Sequence, residues 1–171
     1  MHKPVQFGFS THIRGNSFSN TFGIVRKEKN GDPRAHQGWD IAAFPGTPVF
    51  AIKDGVITFV RDDGDNGLGR HVCMSFDFKG RELFAVYGHL QTIEVATGQY
   101  VGEGERLGLS GQTGNAKGQH YTEAHLHFEI RTQPHAGLGL GHRLDPMLVL
   151  GIEPILEIIF SDMPTFAPIP K

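Results

Sequence analysis

The run His125-Leu126-His127-Phe128-Glu129 places two imidazoles and a carboxylate at every second position. Side chains of an extended strand alternate faces. His125, His127 and Glu129 therefore point one way, and Leu126, Phe128 and Ile130 the other. The apolar face can bury itself and leave the imidazoles side by side on the open face. Imidazole is the commonest metal ligand and the side chain best suited to take a proton near neutral pH. Two half-buried histidines bonded to their neighbours would satisfy the same pattern, so the rest of the chain decides between the readings.

A second constellation is His36-x-Gly38-x-Asp40. In a straight strand its ends would stand about 13 Å apart. They can meet at one metal only if the chain bends, which Gly38 permits, or if one helical turn brings i and i+4 together. A turn with a capping aspartate is the plain alternative. The third element is Tyr87-Gly88-His89-Leu90, at the end of an apolar strand, where alternation puts His89 on the same face as Tyr87. Together the three offer His36, Asp40 and one imidazole of the HxH strand as a zinc set. Three protein ligands with a fourth position open to water is the pattern of a catalytic zinc site. Two imidazoles are left over, one from the HxH strand and His89, to serve as general base and transition-state stabiliser.

The elements that must position these residues are short. Twenty-three glycines and ten prolines in 171 residues suit strands joined by turns better than a helical bundle. Strands are expected at 48–52, 55–60, 70–78, 82–87, 106–109 and 124–130. Lys53-Asp54-Gly55 reads as a hairpin turn between the first two, and Phe78-Lys79-Gly80-Arg81 as another. A weak echo links Gly46-Thr47-Pro48-Val49 to Gly98-Gln99-Tyr100-Val101, as expected of paired hairpins. One short helix is expected over 144–150, with Asp145 as N-cap and Pro146 at the first helical position. Residues 151–171 read as a docked strand or extended arm, with the apolar run 155–160, followed by a loose tail. No linker divides the chain, so residues 1–171 are expected to form one domain.

Charge and composition exclude other classes. A net charge of −2 with no long basic run argues against a nucleic-acid binder. No apolar stretch approaches the roughly 18 residues of a membrane-spanning helix, so no membrane insertion is expected. The start shows no apolar signal segment, which leaves removal of a signal, a route that needs none, or retention inside the cell. The single cysteine, Cys73, excludes an intrachain disulfide framework and a thiolate zinc cluster; a buried thiol is expected there.

The three motifs, in this order, resemble those of the M23 peptidases, the lysostaphin- and LytM-like zinc endopeptidases. The surrounding text is similar too: Thr21-Phe22-Gly23, Gly46-Thr47-Pro48-Val49 with Asp54-Gly55, Gly108-x-x-Gly111-x-Thr113-Gly114, and Arg143-Leu144-Asp145-Pro146. The resemblance covers roughly residues 19–150. It implies a mainly β fold, a compact antiparallel β-sheet domain of the duplicated hybrid motif type with few or short helices. It implies one zinc ion per chain held by His36, Asp40 and His127, with His89 and His125 as the catalytic histidines.

Under that resemblance zinc polarises a scissile peptide carbonyl and acidifies its bound water. His125 takes the proton, His89 bonds to the developing oxyanion or assists the leaving amine, and Glu129 can orient a ligand imidazole. The implied partners are peptidoglycan peptides in the bacterial envelope. D-alanyl–diaminopimelate cross-links are expected over glycine bridges, since nothing resembles a wall-targeting module. The chain departs from the family between the Thr113-Gly114 pair and HLH, where ten residues, 115–124, replace about five. His120 and Glu123 in that insertion, with Tyr87, are candidate substrate contacts; His71, His135 and His142 match no ligand motif. With no long pro-region and no signal visible, an antibacterial effector or lysin is expected, with delivery machinery or an immunity protein as further partners. The alternatives are a non-catalytic relative that binds wall or activates a hydrolase, and a phosphoryl-carrier domain of related fold.

Overall fold

The computed structural model describes residues 1–5 and 18–152. The apolar run expected to form a C-terminal arm, 155–160, lies outside the described residues. The domain is mainly β, as expected. Its strands are β1 (Gly23–Lys27), β2 (Pro33–His36), β3 (Trp39–Ala42), β4 (Pro48–Phe50), β5 (Gly55–Asp62), β6 (Arg70–Phe78), β7 (Arg81–Gly88), β8 (Leu90–Ile93), β9 (Tyr100–Val101), β10 (Arg106–Ser110), β11 (His125–Arg131) and β12 (Arg143–Leu144). One short α-helix follows, α1 (Pro146–Leu150). It starts as its sequence requires, with the Asp145 side chain accepting from Met147 N at 3.0 Å and Pro146 in the first turn.

Among the described residues the strands form three antiparallel sheets. The main one runs β12-β11-β7-β6-β5-β9, with β3 also paired to β11; a smaller one runs β4-β10-β8; β1 and β2 form a separate hairpin. β6 and β7 turn where expected, through Lys79 and Gly80 with φ of 56° and 76°, the two positive angles of a tight hairpin. The turn expected at residues 53–55 does not form. β4 pairs instead with β10, and β5 with β6 and β9. The two echoing segments thus exchange strands with each other rather than each folding into a hairpin. The reason lies in the core: Val49, Ala51 and Ile52 are all fully buried, so the chain between β4 and β5 passes through the interior from one sheet to the next.

The core fills the space under the main sheet with Trp39, Ile41, Met74, Tyr87, Leu107, Leu126, Phe128 and Ile130. Every residue of β11 is buried. Leu126, Phe128 and Ile130 belong to this core, which leaves His125, His127 and Glu129 on the opposite face as alternation demands. β11 also has partners along both edges, β7 on one side and β3 then β12 on the other. Tyr87 is fully buried. Its hydroxyl accepts from Ile52 N at 3.1 Å and donates to Met74 Sδ at 3.5 Å.

Glu129 locks this strand to its surroundings. Arg131 and Arg143 each direct Nε to Glu129 Oε2 at 2.7 Å. Arg143 then reaches the carbonyls of Gly137 and Gly139 through Nη1, at 2.7 and 3.0 Å, and so folds the 132–142 loop back over the sheet. Burial acts to raise the Glu129 pKa, but bonds from His127 and Arg131 more than offset it and hold the carboxyl far below its ordinary value. A group depressed in this way stabilises the fold above its unfolded pKa, here 4.5, and loses that contribution as pH falls below it. Glu129→Gln, which leaves two buried guanidinium groups without their anion, is expected to cost about 3–5 kcal/mol in denaturant unfolding at neutral pH. The metal-free variant should also lose stability less steeply than the parent below pH 4.5.

Candidate functional site

The three motifs converge on the open face of β11. β2 delivers His36, the chain bends at Gly38, and β3 carries Asp40 back into register directly opposite His127. Gly38 is needed here for space: a Cβ on it would overlap the carbonyl of Phe128. The bend, and neither a helical turn nor a straight strand, is what brings the ends of His36-x-Gly38-x-Asp40 together. β7 delivers His89 from the other edge of β11. Regular alternation would send His89 into the core with Tyr87, but its φ of 61° reverses the side chain, and its N–H bonds the Leu68 carbonyl at 2.8 Å. His89 therefore faces the HxH strand, its ring centroid 5.0 Å from that of His125 and 5.8 Å from that of His127.

His36, Asp40 and His127 form a buried three-donor cluster. His36 Nε2 lies 3.1 Å from Asp40 Oδ1 and 3.4 Å from His127 Nδ1, and the last two atoms are 2.8 Å apart. Ligands about 2.0–2.1 Å from a tetrahedral zinc ion stand roughly 3.3 Å from one another, so the spacing fits the metal. Proton accounting fits it as well. His36 Nδ1 lies 2.7 Å from the Thr21 carbonyl, which can only accept, so Nδ1 carries the hydrogen and Nε2 presents a lone pair. His127 Nε2 lies 3.1 Å from Glu129 Oε1 and donates there, which leaves Nδ1 to present the second lone pair. With a carboxylate oxygen as the third, the cluster is three lone pairs facing one point, an arrangement that demands a cation.

In the metal-free protein a proton on His127 Nδ1, donated to Asp40, meets the same demand, and a bound metal would replace it. Burial acts to lower the His127 pKa, yet hydrogen bonds to Asp40 and Glu129 raise it to about 9. Burial acts to raise Asp40, yet His127 and His36, which donate to it when protonated, hold it well below the carboxylate range. His36 is lowered, burial outweighing the pull of the Asp40 carboxylate toward its charged form. The outer oxygen of Asp40 is taken by Arg26, whose Nη2 lies 2.5 Å from Oδ2.

The two remaining imidazoles are also fixed by carbonyls. His125 Nδ1 donates to Glu123 O and His89 Nδ1 to Thr113 O, both at 2.9 Å. Each is thus held as the tautomer whose Nε2 is an acceptor, and His125 Nε2 lies 3.6 Å from Asp40 Oδ1. Burial, with His127 and His125 nearby, lowers His89 to about 3, so it is neutral at physiological pH. The cluster opens into a groove of about 1050 Å³ whose walls include the β1–β2 hairpin, the 67–68 turn, the 115–119 stretch and Leu138.

Of the expected substrate contacts, Tyr87 is corrected: it is sealed in the core with its hydroxyl engaged, on the face of β7 away from the groove. From the insertion, Asn115 and Gln119 line the groove while His120 and Glu123 do not. His120 turns its Nδ1 to Thr122 Oγ1 at 2.8 Å, and Glu123 meets the site through its backbone carbonyl. Gln119 Oε1 is buried with no hydrogen-bond partner among the described residues. His71 bonds the Gly69 carbonyl, and His135 stacks on Phe59 with centroids 4.9 Å apart. Cys73 lies buried on the sheet with its thiol pushed up to about 12 by burial. Arg26 and the carbonyls of Thr21, Thr113 and Glu123 are parts of the site that side-chain motifs alone do not reveal.

Residues 34–146 match the description of Peptidase family M23. The chain is 38% identical over 95 residues to the peptidoglycan DD-endopeptidase ShyA of Vibrio cholerae, across 56% of this chain and 20% of ShyA. It is 36% identical over 134 residues to the DD-carboxypeptidase/endopeptidase Mpg of Neisseria meningitidis, across 78% of this chain and 26% of Mpg. It spans about a fifth to a quarter of the length of these curated relatives. The crystallised catalytic domain of the antimicrobial peptidase lysostaphin from Staphylococcus simulans shares the fold with a TM-score of 0.59 at 30% identity, across 77% of this chain and 90% of that one. With His36, Asp40, His89, His125 and His127 all inside the matched span, and the fold shared as well, this chain belongs to peptidase family M23.

Proposed function

We propose that this chain is a zinc-dependent endopeptidase that hydrolyses peptide cross-links of bacterial peptidoglycan, at the bond between D-alanine and diaminopimelate. The observation that carries the reading is the set of three lone pairs, from His36 Nε2, Asp40 Oδ1 and His127 Nδ1, converging on the floor of an open groove beside two further imidazoles. ShyA is a peptidoglycan DD-endopeptidase and Mpg a DD-carboxypeptidase/endopeptidase, which favours a bond between two D-centres over a glycine bridge. The reaction belongs to the bacterial envelope, and residues 1–171 act as one peptidase domain.

When bound, zinc supplies Lewis-acid polarisation of the scissile carbonyl and brings the pKa of the attacking water toward about 7. His125 takes the proton from that water at Nε2, since its Nδ1 is committed to the Glu123 carbonyl. His89 stands on the other side of the same space with Nε2 as an acceptor. It must gain a proton before it can donate to the oxyanion or to the leaving amine, and negative charge developing nearby favours that gain. Glu129 keeps the His127 ring oriented with Nδ1 toward Asp40.

Purified sacculi digested by the protein should release fragments whose masses mark cleavage at the D-alanyl–diaminopimelate bond, and a chelator should stop the release. Digestion that continues in chelator, or no release by the metal-loaded protein, overturns the proposal. His36→Ala and His127→Ala are expected to lose both stoichiometric zinc and hydrolysis. His125→Ala should keep the zinc while turnover falls about 10²–10⁴-fold; a near-normal rate in that variant removes His125 from the role of base.

A further inference from the structure

The β1–β2 hairpin that walls the groove carries an unusual charge arrangement. Its register sets Arg26 directly opposite Arg34, and residues directly opposite in an antiparallel pair project from the same face. Like charges so placed are destabilising, yet both arginines line the groove. The lining also includes Lys27 and Glu28 of the hairpin and Asp40, which Arg26 already holds, while Leu68, Asn115, Gln119 and Leu138 on the other walls are uncharged. The two guanidinium groups are also unequally engaged. Arg26 is held by the Ser19 carbonyl, Asn20 Oδ1 and Asp40 Oδ2, but its Nη1 makes no hydrogen bond among the described residues. Arg34 is 46% exposed, and its ion pair among the described residues is with Glu28, 3.6 Å away and 54% exposed. An exposed pair at that distance holds its partner weakly.

We infer that Arg26 and Arg34 form a carboxylate subsite, which takes a free carboxylate carried on the carbon next to the leaving nitrogen of the scissile bond. This rests on the peptidase reading above and sharpens it. Arg26 touches Asp40, so an anion bridging the two arginines lies beside the metal cluster, where the groups flanking the scissile bond must sit. Guanidinium groups bind carboxylates through paired, charge-assisted hydrogen bonds. Diaminopimelate joined through its side-chain amine carries such a carboxylate on the carbon bonded to that nitrogen. A terminal D-alanine carries one in the same place. A lysine side chain has a bare methylene there, and a glycine bridge an amide. The subsite therefore selects bonds between two D-centres and rejects lysine-linked or glycine-bridged walls.

The test uses the zinc-loaded full chain with a synthetic D-alanyl–diaminopimelate cross-link and the same peptide amidated at the carboxylate beside the scissile nitrogen. kcat/KM is measured for each, and Kd for each on the His125→Ala protein. The parent should favour the free carboxylate by about tenfold or more. Arg34→Gln should bring that ratio close to one, and Arg34→Lys should restore part of it. Arg34 stands on the exposed face of the hairpin, and a thermal melt of each variant confirms folding. Equal handling of the two peptides by the parent, or a preference that survives Arg34→Gln, overturns the subsite while leaving the peptidase assignment intact. Carboxylate-dependent binding that Arg34→Gln abolishes, without any cleavage, upholds the subsite and removes the peptidase assignment. Absence of binding to either peptide overturns the subsite. A third peptide ending in D-alanyl-D-alanine separates the two sources of the carboxylate, since cleavage there, lost on amidation, assigns the terminal residue as well.

Discussion

His127 stands between two buried carboxylates, Asp40 at Nδ1 and Glu129 at Nε2, and the site depends on that sandwich. Each carboxylate is in turn paired outward, Asp40 to Arg26 and Glu129 to Arg131 and Arg143. Positive and negative groups therefore alternate in one line from β1 through β3 and β11 to β12. Buried charges are tolerable only when paired and hydrogen-bonded, and here each buried carboxylate in the line answers to a cation on either side. The line also fixes function-bearing geometry. It sets the rotation of the His127 ring, turns Nδ1 toward the cluster and leaves only the inner oxygen of Asp40 facing His36. The same groups that hold four strands together thus define which atoms face the groove.

What could be read from the sequence was whatever a local period or a local steric rule decides. The alternation of β11 is legible because burial of Leu126, Phe128 and Ile130 forces His125, His127 and Glu129 to the other face. The α1 helix is legible because Asp145 and Pro146 are each suited to one position at a helix start. The β6–β7 turn is legible because Lys79-Gly80 accepts two positive φ angles. His89 was misread in orientation for the same reason: a period of two carries it into the core with Tyr87. A single positive φ, held by the Leu68 carbonyl, overrules the period and turns the ring toward the His36–Asp40–His127 cluster.

Long-range pairing was less accessible. The echo between residues 46–49 and 98–101 is present in the chain, but whether each copy pairs within itself or with the other depends on which side chains are buried between the strands. Full burial of Ala51 and Ile52 forces the exchange, so β4 meets β10 and β5 meets β9. Strands of two to five residues such as β1, β2, β9 and β12 carry too few alternations to stand out from loops. Arg26 belongs to that group. Its partnership with Asp40 follows from the register of a hairpin that has no hydrophobic pattern of its own.

The segment before β11 is joined to the site at both ends. The carbonyl that fixes the tautomer of His89 belongs to Thr113, and the one that fixes His125 belongs to Glu123. The segment between them is therefore tied at both ends to the two histidines proposed to move protons. Between those anchors Lys117 pairs outward with Asp65, and Asn115 and Gln119 turn toward the groove. Which nitrogen of either imidazole carries the hydrogen is set by these two backbone carbonyls, and the groove wall by the side chains between them, so exchanging a wall side chain need not alter either tautomer.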